Sequence, residues 1–504
     1  MKELEQLVRY ANPTRLRRLA FYKNRSSGAE SQLKKLYQAI SDGKVTNDEE
    51  ASKLLFSKKG DPRYTKLKYL LKEQLINTAI LIDKGNRTSD PYDYHYIDTR
   101  RKLFAAEVLR RSAAYHGAFS LAKKALDHAE KAGLSDIACR CCDILVSYYS
   151  FARRIPAKRK KYLEKAAYWH SMHRADYEAR LVYEHYMGYF LDNTSFPGDL
   201  SIQLGESIEE LDSQFPTVDS VDFNYYAGFL KVILAMNTAN YHEVILICNK
   251  QIGLLTSKEV YPKTYERNFL LQIISVSISI EDFDSGVSAI RRLNELASDG
   301  SRPWFRTQQL YIQLAITSNK YDLAVRLVGE VTSHKSFKNL AEAVRERIIL
   351  LKAYVYWLGA RRKVEDSGEN FSSFRLAKFL NSVPEFEKDR QGLHIPVLIA
   401  QALWLLHRKQ FEKVRSRLVA LRRYADRYLK NAKGTVRAYY FLRAFCKLAD
   451  ADFQRNGFIR RSEKNRVLLD QHPRSKVEQN VEMEIIPYER LYELVVEQLD
   501  LKLH

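Results

Sequence analysis

The chain has 504 residues, is 45% hydrophobic and 12% aromatic, and carries a formal net charge of +21. That composition excludes a disordered polymer, and Gly (19) and Pro (12) are too scarce for a turn-rich all-β architecture. Five cysteines exclude a disulfide framework, and the length calls for more than one core-sized unit.

The first 21 residues are charged throughout and have no apolar h-region, so no signal peptide is expected and a cytoplasmic location is. Residues 1–90 predict an N-terminal module of short helices at 2–10, 13–22, 31–41, 48–56 and 62–82. Thr46 or Asn47 is the expected N-cap of the helix from 48, with acids in its first turn. Pro62, after the break "SKKGDP", opens the next helix at its first position. Residues 84–96 read as a linker or ordered loop.

From 96 to 455 a pattern recurs, beginning with "AYHGAFSLAKKALDHAEKAG" (114–133). Phe119 is followed by Ala122, Leu126 and Ala129 on one helical stripe, a spacing that suits close helix–helix contact. Tyr241, Phe283, Tyr321, Phe374 and Phe411 head similar stretches, and Tyr241, Phe283 and Tyr321 lie 42 and 38 residues apart. Each follows an apolar-periodic helix and a short polar break, which predicts helix–turn–helix pairs repeating at roughly 40 residues.

These residues resemble the tetratricopeptide repeat (TPR), in which small or apolar residues fall 3, 7 and 10 after an aromatic. The resemblance implies an all-α, TPR-like α-solenoid with an N-terminal helical module. The period is longer than the family's 34, and the family's Trp-x-x-Leu-Gly-x-x-Tyr opening is mostly missing. Helices 48–56 and 62–82 are also similar in layout to the helix-turn-helix of regulators that carry such repeats, which would imply DNA binding. Against it, Phe56 stands where those motifs need a small residue, and 62–82 has the apolar content of a packing helix. Residues 456–504 form a C-terminal extension: 471–487 reads as extended, and Pro487 opens an amphipathic helix with Leu491, Leu494, Val495 and Leu499. "FLNSVPEFEKDRQGLHIPVLIAQALWLL", "LRRYADRYLK" and "EIIPYERLYELVVEQL" resemble an uncharacterised family of helical-repeat proteins of Bacteroidota, which implies a helical fold and no particular activity.

No phosphate loop, Gly-x-Gly-x-x-Gly, His-Glu-x-x-His or Gly-x-Ser-x-Gly occurs, so no enzyme, cofactor or metal is expected. "CRCC" (139–142) reads as small core residues rather than a zinc or redox site, and "HSMH" (170–173) lacks a spaced third ligand. The basic run "ARRIPAKRKK" (152–161) reads as a solvated helix face.

Two sites remain. Counting back from each anchor in the TPR frame places Tyr226, Phe229, Asn268, Arg306, Gln309 and Gln313 on an inner groove able to hold an extended peptide. Charge is also uneven: 1–80 holds 17 Lys/Arg against 9 Asp/Glu, 408–466 holds 18 against 5, and 192–300 reverses to 7 against 16. In 408–466, Arg415, Arg422, Arg423, Arg427, Lys430, Arg437 and Arg443 interleave with tyrosines as a basic patch. An acidic protein or a single-stranded nucleic acid would suit it. The expectation is a non-catalytic scaffold or adaptor binding a protein or peptide, with a nucleic-acid-associated regulator as the alternative. No membrane partner is expected, since the longest apolar runs fall well short of ~20 residues.

Overall fold

The computed structural model describes residues 1–10, 28–80, 90–192, 198–361, 394–430, 435–474 and 484–500. Every regular element among them is helical, and none of those helices is long and apolar enough to cross a membrane. The expected helix 13–22, the anchor Phe374, and residues 84–89 and 475–483 of the segments 84–96 and 471–487 lie outside the described residues. Packing groups the chain into two compact units, 1–173 and 174–504.

In the first unit, α1 (Lys2–Tyr10), α2 (Gly28–Ser41), α3 (Asp48–Phe56) and α4 (Pro62–Ile80) enclose Leu4, Val8, Leu36, Leu71 and Leu75. Local chemistry sets their ends. Asn47 caps α3 by accepting from the Glu50 amide at 2.9 Å, and Glu50 reaches back to accept from the Thr46 amide at 2.8 Å, a reciprocal capping pair. Pro62 opens α4, where its missing N–H has no helical partner to lose. The Tyr64 hydroxyl and the Lys68 ammonium both donate to Asp48, tying α4 to α3. The packed stripe of α4, Tyr64, Leu67, Leu71 and Leu75, makes it a core helix.

Beyond it run α5 (Pro91–Arg111), α6 (Tyr115–Ala132), α7 (Ser135–Ser147), a π-helical turn at Tyr148–Ala152, and the first part of α8 (Pro156–Asp192). Residues 91–96, expected in a loop, start α5 instead, because Asp90 caps it and Pro91 occupies its first position. Ala118, Ala122, Ala125, Leu126, Ala129 and Ala132 of α6 are buried between α5 and α7. Five of those six side chains are alanine, so neighbouring backbones approach closely. Gly133 ends α6 in the left-handed conformation, φ +66°.

The second unit continues with neighbouring pairs: α9 (Gly198–Gln214) with α10 (Val221–Asn237), α11 (Tyr241–Thr256) with α12 (Lys263–Ile280), and α13 (Phe283–Leu296) with α14 (Arg302–Thr317). Next come α15 (Tyr321–Ser333), α16 (Glu342–Ala360), α17 (His394–His407), α18 (Phe411–Tyr424) with a π-turn at Ala425–Leu429, α19 (Val436–Phe445), α20 (Lys447–Asp450), α21 (Arg455–Asp470) and α22 (Tyr488–Asp500). Leu491, Leu494, Val495 and Leu499 of α22 are all buried in the unit's larger core, alongside Tyr354, Trp357 and Phe441.

One turn recurs. A left-handed residue (Ala113, Ala239, Glu281, Asn319 or Lys409) is followed two positions later by an aromatic at the first helical position. Those aromatics are Tyr115, Tyr241, Phe283, Tyr321 and Phe411. In each turn the amide after the left-handed residue donates to a carbonyl five residues earlier, as Asn240 does to Ala235 at 2.9 Å and Lys320 to Ala315 at 2.8 Å. The equivalent of Tyr241 in α6 is therefore Tyr115, one helical turn before Phe119. Phe119 instead stacks on Tyr148 at 4.3 Å.

None of the five left-handed residues is glycine, and each non-Asn side chain is strained there by about 1–2 kcal/mol. Lys409, exposed at φ +56°, should therefore gain from Lys409→Gly. Relief of strain less the extra unfolded-chain entropy of glycine leaves a stabilisation of about 0.5–1 kcal/mol, read as a higher denaturation midpoint. A lower midpoint would refute that turn geometry.

Candidate functional site

The groove residues expected from sequence are placed as follows. Phe229 is buried, 4.9 Å from the Phe269 ring. Asn268 donates to the Tyr225 hydroxyl at 2.8 Å, and Tyr225 stacks on Tyr265 at 3.7 Å. Tyr265 in turn donates to Asp222 at 2.9 Å, and burial, with that carboxylate beside it, drives its phenol far above the ordinary range. Tyr226 and Arg306 are half-buried, whereas Gln309 and Gln313 are buried and present no surface to a partner. Phe229 and Asn268 thus belong to an aromatic seam between α10 and α12, and Gln309 and Gln313 are packed on α14.

The seven basic residues of 415–443 separate into three environments. Arg415 donates to Asp452 at 2.5 Å, Arg422 makes two 3.0 Å bonds to Asp450, and Arg443 makes bonds of 3.1 and 3.2 Å to Asp426. These three clamp α18, α19 and α20 together. Arg437 lies in the interior with no exposed surface. It donates to both oxygens of buried Glu484 (3.2 and 2.9 Å), to Glu489 at 2.7 Å and to the His472 carbonyl. Burial alone would weaken its charge, but the hydrogen bonds it donates to Glu489 and Glu484 outweigh it and hold the guanidinium above its ordinary pKa. Arg423, Arg427 and Lys430 remain exposed, with Arg427 over the Tyr428 ring at 5.2 Å.

Beside this clamp a cavity of about 580 Å³ opens between α19 and α21. Lys430, Arg443, Lys447, Arg461 and Lys464 line it with Tyr439 and Tyr440, and no described acidic side chain does. Three of the cations are held from behind: Arg443 by Asp426, Lys447 by Asp450 at 2.9 Å, and Arg461 by the Asp450 carbonyl. Lys430 and Lys464 make no ion pair among the described residues, and both are exposed. The sequence reading included Lys430 and Arg443 but missed the other three. They fall beyond the tyrosine-interleaved stretch: Lys447 follows on α20, and the folding of α21 against α19 brings Arg461 and Lys464 back to the cavity.

A second cavity, about 640 Å³, lies in the first unit, lined by Arg110, Tyr115, Ala118, Ile144, Tyr148 and Phe151. Phe151 is 81% exposed and Tyr115 52%. The π-turn carries Phe151, and its extra residue per turn takes that ring out of the register of α7's packed face. A third cavity, also about 640 Å³, lies where the turns at 279–281 and 317–319 meet the start of α22. Burial raises the Glu281 carboxyl there, with Arg474 opposing the shift. Other charges on that wall are matched within the chain, Glu489 by Arg437 and Glu493 by Arg490 at 2.8 Å.

The remaining candidates sit in structural roles. Cys139, Cys141 and Cys142 are buried, and burial pushes the Cys139 and Cys142 thiols up to about 12, which removes thiolate character. His170 is exposed and 3.3 Å from Asp143, while Asp176 accepts from the Phe223 amide at 3.1 Å. Among the described residues, no group of three or more His, Cys, Asp or Glu side chains is arranged to hold a metal ion. No family model matches the sequence, and a search of curated proteins returns no match, so the functional reading rests on these residues alone.

Proposed function

We propose that this chain is a non-catalytic protein-interaction scaffold of the TPR-like solenoid class that docks a partner on the aromatic cleft of its first unit. The observation that carries this is Phe151, a large apolar side chain 81% exposed at the rim of a cavity floored by Ile144 and Tyr148. Aromatic rings at a concave rim are the usual anchors of protein interfaces, because each removes a large apolar area from water at little entropic cost. Arg110 adds a charged contact on the same wall, so an apolar side chain with an acidic neighbour is the partner feature that fits. The recurring turn supports the solenoid assignment, since the same hydrogen-bonded geometry returns at Ala239, Glu281 and Asn319, 42 and 38 residues apart, as expected of stacked alike pairs. The five cysteines, all free and buried, agree with a reducing cytoplasmic setting.

Replacing Phe151 with a photo-crosslinking phenylalanine analogue in cells should yield a discrete covalent adduct with a partner protein. In label-free pull-downs, Phe151→Asp with Tyr115→Ala should reduce recovery of that partner at least tenfold while leaving thermal unfolding unchanged, since both side chains are exposed. Undiminished recovery by the double variant would move the partner site elsewhere.

A further inference from the structure

From a different observation, we infer that the cavity between α19 and α21 binds a nucleotide, its phosphates on Lys430, Lys464 and Lys447 and its base against Tyr439 and Tyr440. Five cations around about 580 Å³ with no described acid on the wall make a strongly positive enclosure. Like charges gathered in one concavity repel, and the fold holds three of them there by spending Asp426, Asp450 and the Asp450 carbonyl on their far sides. Among the described residues Lys430 and Lys464 have no such partner, so the enclosure keeps charge for an anion.

The anion is narrowed by what else is on the wall. Tyr439 and Tyr440 meet at 5.5 Å with planes 60° apart, Tyr440 also meets the His472 ring at 5.5 Å, and both tyrosines, half-buried, stand on the wall beside the cations. Asn465 adds an amide able both to donate and to accept. A carboxylate-rich peptide would use the lysines and leave the tyrosines idle. A phosphate chain with an attached heteroaromatic ring uses all three features, since stacking on tyrosine tolerates any base. Such a unit comes either as a free nucleotide or as one residue of a single strand.

The test uses the full chain, with fluorescence anisotropy of a labelled 12-nucleotide single strand and calorimetry with ATP and with inorganic tripolyphosphate. Lys430→Glu/Lys464→Glu reverses two exposed charges on the wall, and Lys413→Glu, exposed on α18 but away from the cavity, is the matched charge control. The inference expects at least a tenfold loss for the double variant and less than twofold for the control. If the ligand is a strand, the log–log salt slope should also flatten by about 1.4, at roughly 0.7 per lost phosphate contact. ATP binding that the variant abolishes identifies a free nucleotide, and strand binding without ATP binding identifies a single strand. No binding of either at 50 mM salt, equal affinity for tripolyphosphate and ATP, or an equal loss in Lys413→Glu would each overturn it.

Discussion

Arg437→Met is expected to destabilise the 174–504 unit by about 3–5 kcal/mol, measured as a fall in denaturation free energy. The arginine has no exposed surface, and neither has Glu484, to which it donates twice. Without the guanidinium, Glu484 keeps only the Tyr488 amide, at 2.6 Å, as a described donor for a full buried charge. Glu489 suffers less, because its side chain is 37% exposed and water replaces the lost bond. The His472 carbonyl also loses a donor. Arg437 thus ties α19 to two other stretches, His472 just past α21 and the start of α22, so the loss should release α22 along with the charge. A companion variant discriminates between a missing contact and a stranded charge. Arg437→Met/Glu484→Leu removes both members, and replacing a whole buried pair by apolar groups is often neutral. The double variant should therefore recover much of the stability. A single variant that loses less than about 1 kcal/mol, or a double variant worse than the single one, would contradict this account.

The same arginine shows where sequence stops being informative. Arg437 stands in a run of basic residues and tyrosines, and nothing in its neighbours marks it as interior. Its partners Glu484 and Glu489 are 47 and 52 residues away, so only tertiary packing reveals them. Arg415, Arg422 and Arg443 read alike for the same reason: charge density is local in sequence, whereas neutralisation is not. Where the determining chemistry is local, the sequence was legible. Asn47 before an acidic turn, Pro62 after a break and the apolar stripe of α22 all set or fill elements within a few residues. The repeat register lies between these cases. Tyr115 and Phe119 are both aromatic and share a helical face, and the left-handed residue that selects Tyr115 is Ala113, which carries no turn signal. The Phe151 cleft was not legible either, because a π-turn has no propensity pattern of its own.

Trp404→Ala is expected to cost a further case of about 3–5 kcal/mol, on different physics. Trp404 is buried on α17, and its indole Nε1 donates to the Ala353 carbonyl of α16 at 2.9 Å, also in the interior. An indole buries about 150–250 Å², and the space left by alanine is walled by side chains that belong to other helices, so it closes only in part. The hydrogen bond is the smaller share. As an interior helical carbonyl, Ala353 retains its own helix partner, so losing the indole donor strands no acceptor. Trp404→Phe, which removes the N–H but keeps a ring, should therefore cost only about 1–2 kcal/mol, the net value of one hydrogen bond plus a small volume deficit. The two variants together separate packing from polarity: a large alanine effect beside a small phenylalanine effect assigns the α16–α17 contact to apolar burial. Equal losses would assign it to the hydrogen bond, and an alanine loss below about 1 kcal/mol would mean that α16 and α17 are not paired through this tryptophan.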